Sequence, residues 1–129
     1  MGINRNISRE NSDSDIECWE CARDLVIKTY RLVSNGFLNS DRELRQALIR
    51  TTISAMSNLA MAKEQTYQKE SMRHLEYALE CMAIFRTYLV IIRELGYIGE
   101  GQLLDFEDQS VHISALINDC IKNKEKIKE

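Results

Sequence analysis

The sequence predicts an all-α fold: an antiparallel up-down-up-down four-helix bundle. Three observations lead there. The 129 residues contain no proline and only five glycines, so the chain has few turns to make, whereas sheet-rich domains need many. Apolar residues recur at intervals of three and four over long stretches, the period of one helix face. Serine followed three residues later by glutamate, a signature of helix starts, occurs where two of these stretches begin. A chain of this length makes one domain and buries roughly two-thirds of its unfolded surface, enough for a core without a disulfide or metal.

Residues 1–13 are polar apart from Ile3 and Ile7 and read as a flexible N-terminal arm. Residues 14–122 form the bundle, and 123–129 a charged tail. The first helix is expected to start at Ser14 with Glu17. Its inner face is read as Trp19, Ala22, Val26, Tyr30 and Val33, with Leu25 and Leu32 beside it. Asn35-Gly36 ends it, because a left-handed residue after a helix is easy only for Gly or Asn. The second helix is expected to start at Ser40 with Glu43 and to run to about Glu64, on the stripe Leu44, Leu48, Thr51, Ala55, Leu59, Ala62. Its many Ala and Ser residues make it thin. The third begins near Thr66 and carries Leu75, Ala78, Met82, Phe85, Leu89 and Ile92, ending at Leu95-Gly96. At 1.5 Å per residue it is a rod of roughly 45 Å. The run Tyr88-Leu89-Val90-Ile91-Ile92 is apolar around most of the helix, more than one bundle face needs. The fourth follows Gly99 and Gly101 on Leu103, Phe106, Ser110, Ile113, Ile117 and Cys120.

Charge narrows the function classes. The net charge is −3, which is not the overall footprint of a nucleic-acid binder. From Gly96 to Asp119 the chain has five acidic residues and no Lys or Arg, whereas the last ten residues carry Lys122, Lys124, Lys126 and Lys128 against Glu125 and Glu129. No stretch approaches the ~20 apolar residues of a membrane span, and the N-terminus lacks a signal-peptide core. The expectation is a cytoplasmic protein with reduced thiols.

Several short pieces, in order, resemble a known family. They are Trp19-x-x-Ala22-x-x-Leu25, then Ile53-Ser54-Ala55-Met56-Ser57-Asn58-Leu59-Ala60, then Glu70-x-x-Arg73-x-Leu75-x-x-Ala78 and Leu95-Gly96-Tyr97. Together they resemble the bacterial four-helix-bundle proteins of 23S ribosomal RNA intervening sequences, over about Trp19 to Ile117. The chain departs from that family where Ala55-Met56 replaces Ile-Pro and Met61-Ala62 replaces Glu-Gly. The first change leaves the second helix straighter. Both lean towards a sister group, the accessory proteins of diversity-generating retroelements. That group resembles this chain in Phe85-Arg86-Thr87-Tyr88-Leu89-Val90-Ile91-Ile92-Arg93. The resemblance implies a homopentamer without enzymatic activity. In the retroelement group it also implies a reverse transcriptase partner and RNA or DNA binding.

Candidate site residues follow. Arg42, Arg45 and Arg50 on the second helix, Arg86 and Arg93 on the third, and Lys122 and Lys124 near the end are candidate nucleic-acid or partner contacts, since a ring multiplies their charge. The plainer reading is salt bridging with Glu43, Glu80 and Glu94. Ser57 and Asn58, with Tyr88, Val90 and Ile91, are candidate helix–helix or oligomer contacts. For Ser57-Asn58 the alternatives are a solvated face and a hydrogen bond across a close helix pair.

Cys18-Trp19-Glu20-Cys21 has the spacing of a redox or zinc half-site. A thioredoxin-like site follows a strand, and none precedes this helix. Zinc needs two further ligands, and Cys81, Cys120, His74 and His112 offer no close pair. The alternative makes Cys81 and Cys120 small core residues, with Cys18 and Cys21 flanking Trp19. No glycine-rich phosphate cradle or serine-acid arrangement accompanies the histidines. No catalytic residue, cofactor or metal is expected.

Overall fold

The computed structural model describes residues 2–127, with side chains for residues 14–126. All described elements are helical: α1 (Gly2–Val33), α2 (Gly36–Ser40), α3 (Arg42–Glu64), α4 (Gln68–Glu94) and α5 (Glu100–Ile127). The long helices pack in a closed square, α1 on α3, α3 on α4, α4 on α5 and α5 on α1, and diagonal pairs make no backbone contact among the described residues. This is the expected up-down-up-down bundle, because short connections force sequential helices to be antiparallel neighbours. The single turn α2 is an addition. Its Leu38 is buried and plugs one end, while exposed Phe37 stacks on Tyr97 at 5.8 Å.

The stripes of the last two helices lie where the periodicity places them. Leu75, Ala78, Met82, Phe85, Leu89 and Ile92 of α4 are buried, as are Leu103, Phe106, Ser110, Ile113, Ile117 and Cys120 of α5. Phe85 and Phe106 meet across this pair with ring centroids 6.2 Å apart. On α3, Leu48, Ala55, Leu59 and Ala62 are buried, but Thr52 replaces Thr51 at the inner position. Thr52 can be buried because its hydroxyl donates to the Leu48 and Ile49 carbonyls, leaving no orphan polar group.

The first helix is corrected more. Its inner face is Asp15, Cys18, Ala22, Leu25, Thr29, Leu32 and Val33, with Val26 also buried. Trp19 is half-buried, and Tyr30 is 48% exposed. The face is thus rotated by about one residue from the expected one. A sequence with apolar residues on a wide arc allows several rotations, and the neighbouring helices select among them. Thr29, fully buried, donates to the Leu25 carbonyl at 2.7 Å. Cys81 is half-buried rather than in the core.

Both predicted starts are also corrected. Helical backbone runs from Gly2 through the segment read as an arm, so Ser14 lies inside α1; the side chains of residues 1–13 lie outside those described. The cap of α3 is Asp41, whose carboxylate accepts from the Leu44 amide at 3.2 Å. Ser40 instead donates to the Phe37 carbonyl. An aspartate satisfies a free helix amide and also carries charge suited to the positive end of the dipole. At the other end, the helix continues past residue 122 to Ile127.

The stop at Leu95-Gly96 is as predicted. Gly96 has φ +74°, the Gly96 amide donates to the Arg93 carbonyl, and the Tyr97 amide donates to the Ile92 carbonyl. This pair of bonds closes a Schellman motif.

Candidate interaction surface

Helix α4 carries two apolar stripes. The inner one forms the core. The outer one is Tyr77, Cys81, Ile84, Tyr88, Ile91 and Leu95, spaced four, three, four, three, four. Tyr77, Ile84, Ile91 and Leu95 are 39–52% exposed, and Cys81 and Tyr88 are half-buried. At 100° per residue the two stripes lie roughly 110° apart around the helix. One bundle face accounts for only the first. A sustained seven-residue repeat is the spacing with which one helix packs along another. Of the predicted contacts, Tyr88 and Ile91 belong to this stripe, whereas Val90, 48% exposed, lies on the other side of the inner stripe and outside it. Tyr77, Ile84 and Leu95 were missed at the sequence level, although their spacing was the signal that would have found them.

Ser57 and Asn58 part company. Ser57 is exposed. Asn58 Oδ1 lies 2.9 Å from His74 Nδ1, and its Nδ2 donates to the Ser54 carbonyl. It therefore bonds across the α3–α4 pair, where Ala55, Ala62 and Ala78 are all buried. The small side chains bring the two backbones close enough for short polar groups to meet.

The predicted cations are dispersed. Arg42, Arg50 and Lys122 are exposed. Arg45 is half-buried and reaches Asn39 Oδ1 at 3.5 Å. Exposed Arg93 pairs with Glu94 at 3.2 Å. Arg86 turns to α5, where Nη1 donates to Ser110 Oγ and Ser114 Oγ. Lys124 pairs with Asp15 at 3.7 Å. Arg86 and Lys124 thus have internal partners, and the exposed predicted cations are spread over α3 (Arg42, Arg50), α4 (Arg93) and α5 (Lys122). Two further cations, Arg23 and Lys63, lie over the Trp19 ring at 5.6 and 5.3 Å, an arrangement stabilised by the ring quadrupole.

The cysteine motif is dismantled by the fold. Cys18 and Cys21 lie mid-helix, away from the positive end that would stabilise a thiolate. Burial, then Glu17 and Asp24, pushes the Cys21 thiol up. Cys18 meets Cys120 instead, at 3.3 Å between sulfurs. Among the described residues, no group of three or more His, Cys, Asp or Glu could hold a metal ion, and His74 and His112 stand on different helices. A groove of about 630 Å³ is lined by Gln68, Lys69, Met72, Arg73, Glu76 and Glu125. Its charges are mixed, so no one ligand charge is selected. Among the described residues, no helix is long and apolar enough to cross a membrane.

Comparison with known proteins agrees with the fold. A solved structure from Bacteroides thetaiotaomicron, a protein of unknown function from the S23 ribosomal protein family, superposes with a TM-score of 0.77 at 18% identity, covering 84% of this chain and 98% of that one. No curated protein matches the chain. The family model for the 23S rRNA-intervening sequence protein matches residues 14–119, which is most of the bundle, and the chain belongs to that family.

Proposed function

We propose that this protein is a non-enzymatic, self-assembling bundle that serves as an accessory or scaffold subunit of a nucleic-acid-processing complex. The outer stripe of α4 carries the reading. Six residues at heptad spacing, four of them substantially exposed, form a face that water penalises and a second copy would cover. The resemblance of the Phe85–Arg93 segment to retroelement accessory proteins suggests five copies and a reverse transcriptase partner. In such a ring Arg42, Arg50, Arg93 and Lys122 are repeated in every copy, and phosphate binding grows with summed charge.

A second reading has support of its own. The net charge of −3 and the internal pairing of Arg86 and Lys124 favour a protein-interaction module without nucleic-acid affinity. Light scattering at micromolar concentration tests assembly; a monomer overturns it. Gel-shift titration with RNA and single-stranded DNA at two salt concentrations separates the two readings. Binding that weakens steeply with salt supports the accessory role, and no shift at low salt supports the interaction module.

A further inference from the structure

Cysteines 18 and 120 are 102 residues apart in sequence, yet their sulfurs lie 3.3 Å from each other across α1 and α5. Both are buried, at 0% and 2% exposure. They do not stand alone. One turn before Cys18 is Asp15, itself buried, and one turn after Cys120 is Lys124, whose ammonium lies 3.7 Å from the Asp15 carboxylate. The antiparallel helices therefore stack two rungs: a carboxylate–ammonium pair and a dithiol. A disulfide needs sulfurs at about 2.05 Å, so closing the second rung requires a relative movement of only about 1.3 Å, within reach of side-chain rotation. The Cys18-x-x-Cys21 motif does not supply this pairing, because Cys18 points to the neighbouring helix.

We propose that Cys18 and Cys120 form a modification site, a dithiol that closes to a reversible disulfide staple between α1 and α5 when it meets a small neutral peroxide. The chemistry balances with one hydrogen peroxide. The sulfur of Cys18, as thiolate, attacks one peroxide oxygen; the O–O bond breaks, and the leaving hydroxide takes up the thiol proton to become water. The sulfenic acid left on Cys18 is then attacked by the sulfur of Cys120. The S–S bond forms, the S–O bond breaks, and hydroxide departs as water with the proton of Cys120. Asp15 is placed to take that proton in transit. Two thiols and one peroxide yield one disulfide and two waters.

Access sets the rate. The contact with Cys18, then burial, holds the Cys120 thiol well above its ordinary range, and a thiol without thiolate character reacts slowly. The dithiol is reached when α1 and α5 part locally, and local openings cost less free energy than global unfolding. A small neutral oxidant needs the least opening, whereas a bulky disulfide such as glutathione disulfide needs the most. The staple lies on α1 and α5, away from the outer stripe of α4, so it strengthens the subunit without occupying the assembly face.

The experiment treats the folded full-length chain with hydrogen peroxide, alkylates free thiols on unfolding, and maps peptides by mass spectrometry without reductant. The expected product has lost two hydrogens and contains one linked peptide pair, Cys18 with Cys120. Its melting temperature rises by on the order of 10 °C, as a staple closing a long loop predicts, and dithiothreitol reverses both changes. The Cys21→Ser/Cys81→Ser double variant keeps the link. Cys18→Ala loses it, with circular dichroism verifying that this variant folds. Mapping of the wild-type chain decides the matter even if it does not. Asp15→Asn accumulates more dimedone-trappable sulfenic acid than the wild type. Cys18 and Cys120 both remaining alkylatable after peroxide treatment would overturn the proposal, as would a link between cysteines of two copies.

Discussion

The Arg86 guanidinium donates to Ser110 Oγ at 2.8 Å, tying α4 to the fully buried inner stripe of α5. The same nitrogen reaches Ser114 Oγ at 3.1 Å. Ser110 Oγ lies 3.5 Å from the Met82 carbonyl, so the hydroxyl accepts from Arg86 while it donates back to α4. Truncating Arg86 removes the donor and leaves a buried hydroxyl half-satisfied. Arg86→Ala is expected to cost about 1–2 kcal/mol in urea unfolding. An unchanged midpoint would show that water replaces the guanidinium at no cost.

Phe85 and Phe106 occupy the centre of the core, exposed by 0% and 2%. Phe85→Ala leaves a cavity and should cost ~3–5 kcal/mol, a large share of the ~5–15 kcal/mol typical of a domain. Denaturant melts of the variant check this. A loss under ~1 kcal/mol would mean that the helices collapse onto the gap.

On the outer stripe of α4, charge should act on assembly alone. Ile84→Glu with Ile91→Glu is expected to shift the light-scattering mass to that of one chain. The far-ultraviolet circular dichroism should stay helical, since half-exposed sites contribute little to the fold. Unchanged mass would remove α4 from the interface.

Alkaline pH should weaken the fold through Cys120. Its thiol is raised from 9.0 in the folded state by the Cys18 contact and burial. Above its ordinary pKa the unfolded chain has released a proton that the folded chain still holds, so stability falls with rising pH. Its contribution is fully present below about pH 9 and is lost as pH climbs towards the folded value. Urea midpoints of the wild type should decline above pH 9, and Cys120→Ala should flatten that decline. Parallel curves would show that the thiol titrates alike in both states.

The α4 stop depends on backbone handedness. Gly96 sits at φ +74° with open space around its Cα, so an added methyl meets no neighbour but does meet the left-handed penalty. Gly96→Ala should cost about 1–2 kcal/mol in thermal or urea melts. A neutral result would mean that the loop adopts another closure.

Much of this molecule is determined locally. The core of α4 and α5 can be read residue by residue, from Leu75 to Ile92 and from Leu103 to Cys120, because in each helix the buried positions recur without a break every three or four residues along one face. The left-handed glycine at the end of α4 is legible too, since few residues accept that backbone. Where the local pattern is degenerate, packing decides. Helix α1 has apolar residues on a wide arc, and contact with α3 and α5 turns Cys18 and Thr29 inward while Tyr30 faces out. Thr51 and Thr52 are equivalent in sequence, and only the α3 rotation buries the second. Asp41 caps where Ser40 was expected because α2 takes up the serine. The meeting of Cys18 with Cys120, the turning of Arg86 to Ser110, and the pairing of Lys124 with Asp15 all join segments distant in the chain. Periodicity specifies which face of a helix is buried, but only the relative placement of helices specifies which side chains meet.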